Sequence, residues 1–275
     1  RGKLGEESET EFVDRIVGNL ESMIVREGPD TIAAFIAEPI TGASGVIVPP
    51  TDYYPKVQAV LNKYDIMFWA DEVITGFGRT GNDFGCTTMG IDSPHMMTFA
   101  KQLSSAYMPI SASAIRREMY DAMIDQSANA GAFGHGYTYS GHPVACAVAL
   151  KTLEIYTRDS IFEKAAVTGE YLQKRLAEFV DHPLVGEVRG KGLLGALELV
   201  ASKETGQAFV GGAVGGYAQK MAQDSGLLIR AVAGSCLGFC PPLIITPEQI
   251  DEMMAKTTIA LDKTLEHCKN QGLLG

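Results

Sequence analysis

Three short apolar runs, each stopped at once by a charged residue, constrain this chain more than any other feature. Thr31-Ile-Ala-Ala-Phe-Ile-Ala37 stops at Glu38-Pro39, Ile66-Met-Phe-Trp-Ala70 stops at Asp71-Glu72, and Met96 to Ala100 stops at Lys101. A run that is apolar at every position, rather than at alternate ones, reads as a strand buried on both faces, as in a parallel sheet with helices on each side. The three charges recur about 30 residues apart, which is room for one strand and a crossover helix. The intervening Tyr54, Val57, Val60, Leu61 and Tyr64 fall on one helical face. In open parallel sheets ligands bind beyond the carboxyl ends of the strands, so Glu38, Asp71 and Lys101 are expected along a single edge.

The flanking segments extend this α/β pattern. Phe12, Ile16, Leu20, Met23 and Ile24 have helical spacing between Glu9 and Arg26, and Gly28-Pro29 closes that helix. Gly76 to Gly85 is too rich in glycine for a regular element and reads as an ordered loop. Pro109 to Ala114, and an alanine-rich helix with Pro143 in its first turn, continue the same style. Beyond about Tyr156 the pattern changes to a helix from Ile161 to Phe179, a glycine-rich strand pair from Val185 to Leu199 and a helix from Tyr217 to Gln223. Two short strands around Leu227 to Cys240 and a terminal helix from Pro247 complete it. The expected division is a larger α/β domain over residues 1–157 and a smaller α+β domain over 158–275.

Composition removes several function classes. The formal net charge of -10 argues against a polyanion-binding surface, so nucleic acid is not an expected partner. No run of about 18 apolar residues marks a membrane span. Five cysteines are scattered with no Cys-x-x-Cys pair, which suits reduced thiols at a cytoplasmic address and indicates neither a disulfide framework nor a metal site. The chain opens on Arg1 rather than Met and runs directly into an acidic helix, so an upstream part of the protein is expected.

A lysine and a carboxylate in one cleft suggest a particular chemistry. An amine attacks a carbonyl only when unprotonated, and a desolvated lysine reaches that state and can form an imine with an aldehyde. Pyridoxal 5'-phosphate supplies such an aldehyde, and its ring draws electrons from a bound substrate while a carboxylate keeps the pyridine nitrogen protonated. Lys101 and Asp71 fit these two tasks.

The run Phe68-Trp-Ala-Asp-Glu-Val-Ile-Thr-Gly-Phe-Gly-Arg-Thr-Gly81, followed by Phe99-Ala-Lys101, resembles the signature of the class III, or omega, aminotransferases. The likeness extends from Ala37-Glu38-Pro39 through Gly136-Tyr-Thr-Tyr-Ser-Gly-His-Pro143 to Arg230 and Pro241-Pro242, so it covers almost the whole chain. It implies the large domain of a type I pyridoxal-phosphate enzyme, a mostly parallel sheet with flanking helices, plus a smaller α+β domain. It also implies transfer of an amino group from an amine or omega-amino acid to a keto acid such as pyruvate, through a pyridoxamine form of the cofactor.

Residue by residue, the resemblance implies that Lys101 carries the cofactor and shuttles the substrate proton, that Asp71 pairs with the ring nitrogen, and that Val73 packs on a ring face. Thr138 would reach the cofactor phosphate of a neighbouring subunit, which makes a homodimer part of the site. Glu38 would lie near the substrate end of the cofactor cleft, and Arg79 would have a structural role in its loop. Arg230, read as following a short strand from Gly226 to Ile229, would grip the carboxylate of the amino acceptor, a bidentate task suited to a guanidinium. Histidines 135 and 142, Asp92, His95 and the cysteines are assigned no chemistry.

The sequence also departs from the family. Neither the aromatic that stacks on the cofactor ring nor the Gly-Ser segment that cradles its phosphate is found, and both are expected upstream. Residue 102 is glutamine where many relatives have glycine. Two other readings stay open here: an aminomutase or racemase using the same lysine, and a catalytically silent, truncated dimerisation partner.

Overall fold

The computed structural model describes residues 2–275. The chain divides into two compact units. The first holds the residues up to Pro39 together with Pro49–Phe77 and Phe84–Asp159, and the second holds Ile40–Val48, Gly78–Asp83 and Ser160–Gly275.

In the first unit, helix α1 (Glu9–Glu27) opens on a capping box in which the Ser8 hydroxyl accepts the Glu11 N–H and the Glu11 carboxylate accepts the Ser8 N–H. It buries Val13, Val17 and Ile24. Helix α2 (Tyr53–Lys63) buries Tyr54, Val57 and Leu61. Lys56 pairs with Asp14 and Lys63 with Glu21, both at 2.6 Å, along the line where the two helices meet. Strands β1 (Ala34–Ala37), β2 (Met67–Asp71) and β3 (Met96–Phe99) are parallel neighbours, and β4 (Ala112–Ile115) adds to β3 antiparallel. This is the mostly parallel α/β sheet that the apolar runs imply.

The strands are not buried on both faces. Phe68 and Ala70 are buried, whereas Met67, Trp69 and Asp71 on the opposite face are partly exposed, and Ile36 of β1 is 57% exposed. The physical reason is that α2 covers one face only: its Tyr54 ring meets Phe68 edge-on at 5.9 Å. Helices α3 (Gly85–Met89), α4 (Arg117–Ala130) and α5 (Pro143–Arg158) complete the unit. The sequence reading assigns nothing to α4, and α4 buries no residue. Met119, Tyr120, Met123 and Ile124 recur there at helical spacing, but none of them is buried.

The loop after β2 is tied down by Glu72, which is wholly buried. Its carboxylate accepts the Thr75 hydroxyl (2.5 Å), the Gly85 N–H (2.9 Å) and the Cys86 N–H (2.7 Å). One buried charge thus joins the end of β2 to the first turn of α3, where orphan helix N–H groups need an acceptor. Phe77, Phe84 and Phe99 form a ring cluster with each centroid pair at 5.6 Å, so the two ends of the glycine-rich excursion are pinned to the end of β3.

The second unit is built on an antiparallel sheet of order β5 (Val185–Lys191), β6 (Leu194–Ser202), β9 (Cys236–Phe239) and β8 (Arg230–Val232), with β7 (Gln207–Ala208) pairing β6. Helices α6 (Ile161–Ala177), α7 (Ala213–Asp224) and α8 (Pro247–Asn270) belong to this unit. Leu172, Leu176, Leu184, Leu193, Leu197, Leu199 and Phe239 form its fully buried core. Arg79 is buried here and donates to the carbonyls of Leu193 (2.9 Å) and Pro241 (2.6 Å), a structural task for the charged residue of the glycine-rich loop. Gly192 has φ +57°, and a Cβ there would lie 2.4 Å from the carbonyl carbon of Thr80, so the close approach of that loop requires glycine.

Among the described residues, no helix is long and apolar enough to cross a membrane, no group of three metal-binding side chains is assembled, and all five cysteines are free thiols. Truncating Glu72 to alanine leaves two N–H groups and one hydroxyl buried without their acceptor, at about 1 to 3 kcal/mol for each group that water cannot reach. Chemical denaturation of Glu72→Ala is therefore expected to show a loss of about 3 kcal/mol or more, and Thr75→Ala, which removes one donor, about 1 kcal/mol. Equal stability of Glu72→Ala and the parent would show that the carboxylate does not hold the loop.

Candidate active site

The site is built from the register of the parallel strands. Ala37 pairs with Ala70 across β1 and β2, and Asp71 pairs with Thr98 across β2 and β3. Glu38 follows β1, Asp71 ends β2, and Lys101 stands two residues beyond β3. The sheet thus brings Glu38, Asp71, Val73 and Lys101 to one carboxyl edge, on three neighbouring strands about 4.8 Å apart.

Alternation along β2 separates two adjacent carboxylates. Asp71 shares the partly exposed face with Trp69, while Glu72 shares the buried parity of Phe68 and Ala70. Glu72 is saturated by its three donors. One Asp71 oxygen accepts the Val73 N–H at 3.0 Å, which fixes the carboxylate, and among the described residues no cation pairs with it. The Val73 side chain is half-buried beside it.

Lys101 is exposed, and among the described residues no carboxylate pairs with its amine. Its backbone is left-handed, with φ +43° at a non-glycine residue. A short 3-10 turn, Lys101–Leu103, begins there. The Glu38 carbonyl accepts the Tyr54 hydroxyl at 2.6 Å. Burial pushes the Tyr54 phenol well above its usual range, so it stays a neutral donor to that carbonyl. Burial followed by the Glu72 charge likewise pushes the Cys86 thiol up and keeps it unreactive.

Two other residues singled out in the sequence belong to other elements. Thr138 sits in an exposed turn between α4 and α5, where the Ser140 hydroxyl accepts the Tyr137 N–H. Arg230 belongs to the second unit. It does not follow a strand: residues 227–229 are irregular, and Arg230 itself opens β8, an edge strand whose Ala231 N–H donates to Gln219 Oε1 (2.7 Å). The pull of the Gln219 side chain and the pairing with Gly238 start the strand later than its apolar residues suggest. The Arg230 side chain is exposed, with no carboxylate paired to it among the described residues. Sequence reasoning missed the supporting residues Glu72, Tyr54 and Tyr156. For Glu72 the sequence holds no signal, since the run before it is apolar at both parities and only the structure puts it on the buried side with Phe68 and Ala70.

The sequence pattern of the family described as Aminotransferase class-III matches residues 3–261. Gamma aminobutyrate transaminase 3, chloroplastic, of Solanum lycopersicum is 47% identical over 269 residues, covering 96% of this chain and 51% of the relative. Putrescine–pyruvate aminotransferase of Pseudomonas aeruginosa is 47% identical over 264 residues, covering 96% of this chain and 57% of that protein. The crystal structure of the omega transaminase from Pseudomonas jessenii in complex with PMP superposes with a TM-score of 0.94 at 48% identity, covering 97% of this chain and 58% of that one. The chain spans about half the length of the curated relatives it matches. On the family match and on identities approaching one half along nearly its whole length, this chain belongs to the class-III aminotransferases.

Proposed function

We propose that this chain carries the lysine half of a pyridoxal-phosphate aminotransferase site, moving an amino group from an amine or omega-amino acid to a keto acid such as pyruvate. The observation that carries the reading is the placement of Asp71 and Lys101 at the ends of adjacent parallel strands, with neither charge neutralised by a neighbour among the described residues. Such a pair fits the cofactor at two points, an acceptor for the ring nitrogen and an amine for the aldehyde. When bound, pyridoxal phosphate supplies an electron sink for the bond broken at the substrate carbon.

The remaining work belongs to residues of the protein. Asp71, held by the Val73 N–H, keeps a proton on the ring nitrogen, and Val73 offers an apolar surface to the ring. Lys101 would hold the cofactor through its aldehyde carbon, and its free amine would serve as the base and then the acid that moves the substrate proton. Glu38 contributes to the same cofactor cleft near its substrate end. Residues 1–157 are read as the remainder of the large cofactor domain and 158–275 as the small domain, with Arg230 recognising the acceptor carboxylate.

The proposal includes a homodimer in which Thr138 reaches the phosphate in the partner subunit. What supports it is the segment around Thr138, where Phe133, Tyr137 and Tyr139 are 65%, 78% and 80% exposed, far more ring surface than a solvated turn needs. A cytoplasmic location is part of the same proposal, supported by five unpaired thiols that suit a reducing compartment.

Borohydride reduction followed by peptide mass analysis tests the central assignment: it is expected to fix the cofactor on the peptide holding Lys101, and Lys101→Ala is expected to lose both the fixed cofactor and turnover. A reducible adduct surviving in Lys101→Ala overturns the reading.

Asp71→Asn cannot hold the ring proton by charge, and a charge-assisted bond of about 3 kcal/mol converts to roughly a hundredfold fall in each half-reaction. Half-reaction rates near those of the parent would make Asp71 a simple loop charge.

Removal of the Arg230 guanidinium deletes a bidentate contact of about 2 to 3 kcal/mol, so Arg230→Ala is expected to slow keto-acid use about a hundredfold. Deamination of an arylalkylamine without a carboxylate should barely change. Single-turnover rates measured separately for the two halves decide this, and an equal fall in both assigns Arg230 to the stability of its own unit.

A further inference from the structure

The turn that carries Lys101 is held in an unfavourable backbone conformation. Lys101, Ser105 and Ala106 have φ values of +43°, +49° and +64°, all in the left-handed region that disfavours residues with a Cβ. Three such residues within six positions persist only where the surroundings over-determine them. Local contacts do part of this. The Lys101 carbonyl accepts the N–H groups of Ser104 (3.2 Å) and Ala106 (3.3 Å), and the buried Ser104 donates its hydroxyl to the Met108 carbonyl at 2.6 Å.

One restraint comes from elsewhere in the unit. Tyr156, buried in the last turns of α5, donates its hydroxyl to the carbonyl of Gln102 at 2.8 Å, with Gln102 Oε1 also within 3.4 Å. This side chain reaches residues 101–106 from another helix. It grips the carbonyl of the residue immediately after the lysine. A rotation there that relaxed φ at Lys101 would turn the Gln102 carbonyl away from the phenol and break that hydrogen bond.

We propose that Tyr156 is a positioning residue for Lys101: by holding the Gln102 carbonyl it keeps the left-handed turn formed and fixes the direction in which the lysine side chain leaves the strand edge. This rests on the reading of Lys101 as the cofactor-binding lysine. The restraint acts through the backbone, from a hydroxyl and not from a charge. It also makes the orientation of the lysine depend on the seating of α5, sixteen residues long and starting just after the Thr138 segment.

The test compares two variants of the same helix in the holoenzyme and after removal of the cofactor. Tyr156→Phe removes only the hydroxyl that meets Gln102. Thr152→Val removes a buried hydroxyl one turn earlier that donates to the Val148 carbonyl within α5. Each loses one buried hydrogen bond, so each is expected to lower Tm by about 2 to 4 °C. Only Tyr156→Phe is expected to slow capture of added pyridoxal phosphate by Lys101, followed by absorbance, about tenfold, and to shift the pH midpoint of the absorbance band. In the cofactor-free protein the Ser104 and Ala106 amides, which donate to the Lys101 carbonyl, are expected to exchange with deuterium about tenfold faster in Tyr156→Phe alone. Unchanged capture, pH midpoint and exchange in Tyr156→Phe overturn the proposal, as does an equal effect of Thr152→Val, which would reduce the tyrosine to helix packing. If the parent protein itself fixes no cofactor on Lys101, the functional reading fails and the proposal falls with it, an outcome distinct from a normal parent and a normal Tyr156→Phe.

Discussion

The buried carboxylate of Glu72 is the interaction on which the candidate site depends. A charge with no solvent exposure is costly unless several donors replace its water, and here three donors come from two places in sequence: a hydroxyl three residues on and two N–H groups at the start of α3. Satisfying Glu72 therefore brings the chain back to the end of β2 after its glycine-rich excursion. The Phe77, Phe84 and Phe99 cluster then closes the base of that excursion with apolar area. With both ends of the loop held, the two residues after Asp71 have little freedom, and the Val73 N–H stays within reach of the Asp71 carboxylate.

The division of labour between Asp71 and Glu72 follows from strand periodicity. Successive residues point to opposite faces, so two neighbouring carboxylates meet opposite environments: one is enclosed and saturated, the other half-exposed with an oxygen left over. The same local sequence supplies structure on one face and chemistry on the other. Exchanging the two by a one-residue slip would place Asp71 among Phe68 and Ala70 and leave Glu72 at the open face, so the register of β2 against β3 is as much a part of the site as the side chains are.

Much of this was legible in the sequence, and the limits have physical causes. The three apolar runs and their terminal charges specify parallel strands because the carboxyl edge of such a sheet is reached every βαβ unit, and Glu38, Asp71 and Lys101 do lie along it. The composition of the runs suggests cover on both faces, but Ile36 and Trp69 show cover on one, because apolar composition reports what a strand tolerates and not which helices are present to cover it. Helix α4 carries Met119, Tyr120, Met123 and Ile124 at helical spacing, a stripe that buries nothing and that the sequence reading passes over. Arg230 was placed after a strand instead of at the head of one because the Gln219 contact that orders Ala231 is nonlocal. Tyr156 was beyond reach for the same reason: no local pattern joins residue 156 to residue 102.

The geometry around Lys101 shows why an active lysine and a relaxed backbone are competing demands. A strand that simply continued past Phe99 would carry the lysine away along its own axis, in extended conformation. The chain instead turns at Lys101 through a left-handed residue, a conformation that costs on the order of 1 kcal/mol or more for a side chain with a Cβ and that recurs twice within five residues. A glycine at these positions would remove the strain but could not supply the amine. The strain must therefore be borne by neighbours, and the neighbours present are a buried leucine, a buried serine hydroxyl and the Tyr156 phenol. The restraint is placed on the carbonyl of the next residue and not on the lysine amine, which leaves the nitrogen free to react.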